Sequence, residues 1–580
     1  MSDNSLIHGG PPLVNPPDNL TVPQFLLDGV SRHVTHPQRL VGTPCLIEDD
    51  TGRKVTLNEL RDRTNWLAAA LCFHWNIGED TIATIISPNH IDYGCIAWAL
   101  HRLGGIVATL GPMLTTGEFV HQFQIAMPAM IFVHSDCLSS VIQAAALVGL
   151  ESDRIVIIDT VGSPGPTGLR NLTDLIHEGP SLPGFTERKL TQGEARNKIA
   201  FLAPSSGTTG MPKVVAISHY NVISIVIQSA TFNRINESYG PAAERRFRLG
   251  DICCGFLPLY HIYGLVYNLH FMIYAGLTLV LTPRFNFEKF LASIQRYRIT
   301  HLTLVPPQAV LLCKHPAVKQ YDLSSVRYCI VAAAPLSATL TQELLEVLPN
   351  VQLGQGYGLT ETCGTVGMFP LSQKVGTLGS GGQLLPGTSG KVVKADGTLA
   401  KELEVGELYV KGGQVALGYF RNEFATKETF IDGWLKTGDQ VYFRDGDIFV
   451  IERIKELIKV KGLQVPPAEL EGHLLTHPSI VDAAVIGVPD DYSGELPMAF
   501  IVLQPELAAA ATTDSRLADE LRASIFKHVA DVKSKHKWLA GGIRFTSAIP
   551  RNPSGKILRR LLRTQLDSAH SVNVGMRSRL

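Results

Sequence analysis

The chain has 580 residues, several times the size of an ordinary domain, so more than one hydrophobic core is expected and burial is not limiting. Its composition is that of a soluble globular protein, 45% apolar and 18% charged, and 52 basic residues balance 52 acidic ones, which leaves nucleic-acid binding without the basic excess it usually shows. The nine cysteines are scattered, with no C-x-x-C pair and no zinc spacing, which suits a reducing compartment.

In chain order, the Pro-, Gly- and Asn-rich start from Met1 to Asn19 reads as a loose arm. It lacks the apolar core of a signal peptide and the Arg-rich bias of a transit peptide. Thr56-Leu57-Asn58-Glu59 has capping-box form, and Leu60, Leu67, Ala68 and Leu71 continue it as a helical face. A strand from Thr81 to Ile86, a helix ending near Leu103 and a strand from Val107 to Leu110 set a βαβ rhythm. It repeats through Ile131–Val133, Ile155–Ile158, Thr278–Leu281 and Leu302–Val305, which implies parallel sheets with helices on their faces. Gly162 to Gly168 is a surface loop, and Cys253-Cys254 lies in a buried strand as inert thiols. The apolar stretch Leu265 to Thr282 contains Asn268, His270 and Gly276 and divides into a helix and a strand, so no transmembrane segment is expected. Near residue 452 short alternating strands such as Gly406–Val410 and Asp447–Ile451 give way to a compact α+β pattern: the helix Pro467–His473, the strands Ala483–Val488 and Ala499–Leu503, and the helix Ser515–His528. A hinge is placed at Glu452 to Lys455.

Four segments carry chemistry. Behind the apolar run Ile199–Ala203, the loop Ser205-Ser206-Gly207-Thr208-Thr209-Gly210-Met211-Pro212-Lys213 brings hydroxyls, glycine amides and one ammonium toward anionic oxygens, as a polyphosphate cradle requires. Its spacing is not that of the kinase and ATPase P-loop. Gln355-Gly356-Tyr357-Gly358-Leu359-Thr360-Glu361 offers an aromatic face for adenine, a hydroxyl for phosphate and, in Glu361, a hard oxygen for Mg²⁺. Trp434-Leu435-Lys436-Thr437-Gly438-Asp439 sets a carboxylate behind a tight turn, able to accept from both ribose hydroxyls. Pro553-Ser554-Gly555-Lys556-Ile557 puts a lysine on a glycine-flexed loop. Singly each has a bland reading, as a plain turn, a core tyrosine or a solvated carboxylate.

In this order, from residue 205 to 556, the four segments resemble the signatures of the adenylate-forming enzymes, which comprise acyl-CoA ligases, luciferases and peptide-synthetase adenylation domains. The resemblance implies an α/β fold with a large N-terminal domain of doubly wound sheets and a short β-barrel-like part, residues 1–452, and a small mobile α+β C-terminal domain, residues 453–580. It implies ATP contacts at Ser205 to Gly210, Lys213, Ala333, Gln355 to Gly358, Thr360, Asp439, Arg453 and Lys556, with Mg²⁺ on Glu361 and with ATP and coenzyme A as co-substrates. The segment Glu452 to Glu471 looks like that of coumarate:CoA ligases and beetle luciferases. By that likeness Lys455 is the pivot, Lys459 and Gln464 serve the second half-reaction, and Lys556 enters the site during adenylation. Position 452 departs from the Asp common in relatives, so a changed hinge contact is expected.

Leu257-Pro258-Leu259-Tyr260-His261-Ile262-Tyr263-Gly264 resembles the family's acyl-site motif, which would place His261 beside the reacting carboxylate and Tyr263 in the pocket. Where coumarate ligases are implied to carry an Asn and a Lys, Val266 and Ile330 stand here, and Ala332 replaces the usual glycine of Ala332-Ala333-Ala334-Pro335. An apolar acid is therefore expected, a medium-chain fatty acid or an unsubstituted aryl acid. Competing readings are a ligase loading a carrier-protein thiol, a luciferase-like oxygenase and a non-catalytic nucleotide-binding scaffold. The last is disfavoured because Lys213, Glu361, Asp439, Arg453 and Lys556 are all present. The final Ser578-Arg579-Leu580 is a basic variant of the Ser-Lys-Leu peroxisomal address, which implies an import receptor as partner and a peroxisomal location, otherwise a cytoplasmic one.

Overall fold

The computed structural model describes residues 6–29, 33–159, 168–205, 213–461, 463–490, 492–552 and 555–566, which form three sheets. The expected βαβ rhythm is present: Ile82–Ile86, Ile106–Leu110, Met130–Val133 and Ile155–Ile157 run parallel in an eight-stranded sheet with helices between them. Every residue of these four strands is buried, as strands covered on both faces by crossover helices must be. The helix Leu57–Trp75 begins where Thr56 accepts from the Glu59 N–H. Only half of the capping box forms, because the Glu59 carboxylate pairs with Arg53 instead.

A second parallel array runs through Pro44–Glu48, Thr278–Leu281, Ile252–Gly255, His301–Leu304, Tyr328–Val331 and Gln352–Leu359. Beyond Gln352–Leu359 the pairing turns antiparallel, and the strands up to Arg453 close around their own apolar cluster, including Val366, Leu408, Val441 and Ile448. This is the barrel-like part. Cys253 and Cys254 are buried in the array, and the nine cysteines are free.

The small C-terminal unit is built on the hairpin Ile480–Asp490 and Gly494–Leu503, with Gly542–Phe545 added in parallel and the helices Pro467–Leu474 and Ser515–Ala530 packed on it. Its core, with Leu470, Val485, Ile501 and Ile525, is separate from the cores of the large part. No helix among the described residues is long and apolar enough to cross a membrane.

Three expectations need correction. The described part of the expected loose arm is docked: Ile7–His8 pairs with Thr388–Val393, and Asp18 holds Arg196 and the Gly193 N–H. Backbone pairing onto an edge strand needs no apolar periodicity, so composition did not signal it. The helix inside the 265–282 stretch is a π-helix, Tyr263–Phe271, followed by a short α-turn. The strand Asp447–Arg453 passes through the expected 452/453 boundary, since Arg453 still pairs with Asp439 and the Ile454 N–H donates to Gly438 O, so Lys455 is the first residue past the large sheet. The 162–168 loop and the 578–580 tail lie outside the described residues, apart from Gly168.

Candidate active site

The strand Tyr328–Val331 ends opposite Gln355, where Gln352–Leu359 leaves the parallel array to pair antiparallel, and ligand crevices in such sheets form beyond carboxyl ends of this kind. A cavity of about 510 Å³ opens there. The first strand and its loop contribute Ile330, Ala332 and Ala333, and the second contributes Gly356, Tyr357, Gly358, Thr360 and Glu361. Ala333 sits at φ 73°, a left-handed conformation that costs a non-glycine residue on the order of 1 kcal/mol, so the loop is held there by its surroundings. Ser205 and Lys213, opposite each other across an antiparallel pair, close a further side. Residues Ser206, Gly207, Thr208, Thr209 and Gly210 lie outside the described residues.

The acyl motif forms the opposite wall. Gly264 is required because a Cβ there would meet Pro258 O at 2.2 Å, so the chain folds back on itself before the π-helix starts. His261, Tyr263 and Val266 line the cavity, and Tyr267 and Phe271 extend the lining along the same helix. Their rings step along it, Tyr263 to Tyr267 at 5.8 Å and Tyr267 to Phe271 at 5.1 Å. Burial, reinforced by the charge of Lys556, holds His261 down to about 4, so its imidazole is neutral at physiological pH. The Tyr263 N–H donates to its Nδ1 at 3.4 Å, which favours the tautomer with the proton on Nε2.

Thr437-Gly438-Asp439 is not a tight turn. It lies within the strand Trp434–Arg444, bent by Gly438 at φ 72°. Asp439 is buried and does not line the cavity; its oxygens receive the Tyr357 hydroxyl at 2.5 Å and face Arg453 Nε at 3.3 Å. Arg453, Lys455 and Lys556 do line it. The Lys556 ammonium stands 4.0 Å from Glu456, and burial together with the like charge of Arg453 holds it down to about 8. Gln355 turns away from the cavity, accepting from the Leu336 N–H at 2.7 Å and so bracing the Ala332–Leu336 loop. Gly358 serves packing, since a Cβ there would meet Gly364 O of the adjacent strand at 1.9 Å. Lys459 and Gln464 are exposed, paired across the hairpin Ile458–Val460 and Leu463–Val465, and stand apart from the cavity.

Sequence reasoning missed several members. Ile225 and Ser229, one turn apart on the helix His219–Phe232, line the apolar end. Asn89 anchors the acyl motif by donating to Gly255 O and Leu257 O and accepting from the Leu259 N–H. Tyr419 binds Glu361 at the polar end. The i, i+4 spacing of Ile225 and Ser229 is the one signal that was available in the sequence.

The geometry agrees with the relatives. The family model of the AMP-binding enzyme matches residues 34–420, and that of the AMP-binding enzyme C-terminal domain matches residues 469–556. Acyl-CoA ligase easD of Emericella nidulans is 34% identical over 566 residues, covering 94% of this chain and 97% of its own. Peroxisomal OPC-8:0-CoA ligase 1 of Arabidopsis thaliana is 35% identical, covering 90% of each chain. Among solved structures, the O-succinylbenzoate coenzyme A synthetase of Bacillus subtilis in complex with ATP and magnesium ion superposes with a TM-score of 0.71 at 26% identity, covering 91% of this chain and 97% of that one. The chain belongs to the AMP-binding enzyme family and is an ATP-dependent, adenylate-forming acyl-CoA ligase.

Proposed function

We propose that the substrate is an apolar carboxylic acid, of medium-chain fatty or aryl type, which ATP converts to an acyl adenylate and coenzyme A then takes as its thioester. The observation that carries this reading is one cavity with two characters. Lys213, Glu361, Arg453 and Lys556 gather at the polar end, while Ile225, Val266, Phe271 and Ile330 line the other, and His261 heads the helical wall that leads there.

Adenylation joins two anions: the carboxylate attacks the α-phosphorus and pyrophosphate departs. The catalytic load is therefore electrostatic, carried by Lys556 between carboxylate and α-phosphate and by Lys213 at the leaving phosphates. Neutral His261 can donate from Nε2 to the carboxylate without adding charge. Tyr357, its hydroxyl tied to Asp439, offers its face to adenine, and Ser205 and Thr360 offer hydroxyls to phosphate. Glu361 is a hard-oxygen donor lining the cavity and would be the residue that holds the Mg²⁺ accompanying ATP. When bound it would offset phosphate charge.

The thiol step calls for the other face of the small domain. Rotation about Lys455, with residues up to Ile454 staying with the large domain, withdraws Lys556 and brings in Lys459 and Gln464. Ser578-Arg579-Leu580 would direct the enzyme to peroxisomes, which is tested by the location of a fluorescent fusion with and without those three residues.

The decisive experiment is a pyrophosphate-release screen over fatty and aryl acids, with and without coenzyme A. Release of AMP and pyrophosphate with an apolar acid is expected. ADP and phosphate as products would refute the reaction, and a preference for coumaric over cinnamic acid would refute the apolar pocket.

A further inference from the structure

Lys213 and Glu361 bring opposite charges to the same end of the cavity, yet among the described residues neither makes an ion pair. Both instead engage Tyr419. The Lys213 ammonium lies 4.5 Å from the centre of the Tyr419 ring, and the Tyr419 hydroxyl donates to Glu361 Oε1 at 2.9 Å. Tyr419 is itself fixed. Val215 pairs with it across the strand that begins at Lys213, its N–H donates to Thr426 Oγ1 at 2.9 Å, and Phe430 meets its ring edge-on at 5.7 Å. The Ala416 N–H donates to Glu361 O at 2.9 Å, so the chain before Tyr419 is tied to the backbone of Glu361 as well.

In a partly enclosed site a free lysine and a free glutamate attract strongly, and direct pairing would neutralise the two charges the reaction needs. An aromatic face holds an ammonium without cancelling it, and a hydroxyl donor holds a carboxylate without cancelling it.

We propose that Tyr419 is a positioning residue that keeps Lys213 and Glu361 apart and preset, the ammonium for the terminal phosphates of ATP and the carboxylate for the divalent cation that accompanies them. The proposal rests on the ligase reading and concerns only the polyphosphate end of the site. AMP lacks the β- and γ-phosphates, so it separates this role from a general structural one.

The test uses the full chain with Tyr419→Phe, which keeps the ring and removes the hydroxyl, and Tyr419→Leu, which removes both. Calorimetric titrations with AMP and with MgATP are compared, together with the Mg²⁺ dependence of pyrophosphate exchange. For Tyr419→Phe the Mg²⁺ concentration for half-maximal exchange should rise by about tenfold, the loss of one hydrogen bond to a charged group, with the rate at saturating Mg²⁺ near that of wild type. For Tyr419→Leu, MgATP binding should weaken beyond that of Tyr419→Phe, while AMP binding stays within about twofold in both variants. Equal weakening of AMP and MgATP, or an unchanged Mg²⁺ dependence in Tyr419→Phe, overturns the proposal. A wild-type protein that binds MgATP but never exchanges pyrophosphate overturns the ligase reading instead, and the two titrations still decide the role of Tyr419.

Discussion

Lys556 and the Lys459–Gln464 hairpin belong to one small domain but meet the large one in opposite ways. The Lys556 side chain is 20% exposed and lines the cavity beside Arg453, whereas Lys459 and Gln464 face solvent on an antiparallel hairpin. Gln464 meets the large domain through Gln440, whose side chain donates to it at 3.2 Å. The C-terminal unit thus carries two sets of groups, and this arrangement presents the first at the cavity. A single static pocket for both half-reactions would have needed them side by side.

The largest effect should come from removing the set now in place. Lys556→Ala is expected to slow adenylation by about 10²- to 10³-fold, the range seen when one preorganised electrostatic group is lost. Thioester formation from supplied acyl-AMP should stay within about threefold of wild type. Equal loss in both half-reactions, measured separately, would break the division between the two faces. The reverse experiment should be weaker, because the proposed thioester role is divided between Lys459 and Gln464. Lys459→Ala should slow thioester formation by about tenfold and leave pyrophosphate exchange unchanged.

The comparison also predicts a pH difference. Burial holds Lys556 below its ordinary 10.5, down to about 8, so in the free enzyme its charge is lost as pH rises through that value. For stability the sign is the reverse: a lowered lysine value favours the folded, docked form above the unfolded value, and that contribution is lost as pH falls through about 8. The kcat/KM of adenylation should therefore fall by about tenfold per pH unit on an alkaline limb beginning near 8. Lys556→Arg should move that limb upward, because a guanidinium keeps its charge. Thioester formation, with Lys556 withdrawn, should lack the limb.

How far the sequence reached differs between these regions for physical reasons. Ser205, Lys213 and Arg453 reach the cavity from strand ends, where motif spacing and chain direction are coupled, and Tyr357, Glu361 and Lys556 reach it from motif segments read as such in the sequence. The parallel strands were legible from continuous burial, and the small domain from its change in pattern. What escaped were residues whose role is set across distant parts of the chain. Asn89 reaches Gly255, Leu257 and Leu259, and Tyr419 reaches Lys213 and Glu361, through tertiary contacts that no local spacing encodes. The π-helix was invisible for a related reason, since an apolar helical stretch reads alike in either register. It is held by tertiary bonds, Asn268 to Cys254 O and Trp98 to His270, whose Nδ1 meets Leu265 O. Gln355 and Gly358 were legible as motif members but not in their tasks, because bracing a loop and packing against a strand depend on the neighbouring strand.

The smallest effect should come from the junction that holds the present arrangement. Glu452 leaves the large sheet with Oε1 accepting from the Arg453 N–H and Oε2 from the Ala468 N–H, both at 3.0 Å. Ala468 is in the first turn of the small domain's helix Pro467–Leu474, so the carboxylate caps a helix across the junction. An aspartate, one methylene shorter, would not span both donors, which gives the departure at position 452 a physical meaning. Burial raises Glu452 to about 7, against the attraction of Arg559 and with the repulsion of Glu456 and Glu471. A raised carboxyl contributes stability that is present below its ordinary 4.5 and lost as pH climbs through 7. Glu452→Gln removes that loss, so its melting temperature relative to wild type should rise between pH 5 and pH 8. Glu452→Asp should melt lower than wild type at both values and favour the thiol step over adenylation by a modest factor, because the cap that holds Lys556 in the cavity is shortened. A melting difference that does not change with pH would mean that Glu452 acts by shape alone, its side chain spanning the Arg453 and Ala468 donors whatever its charge.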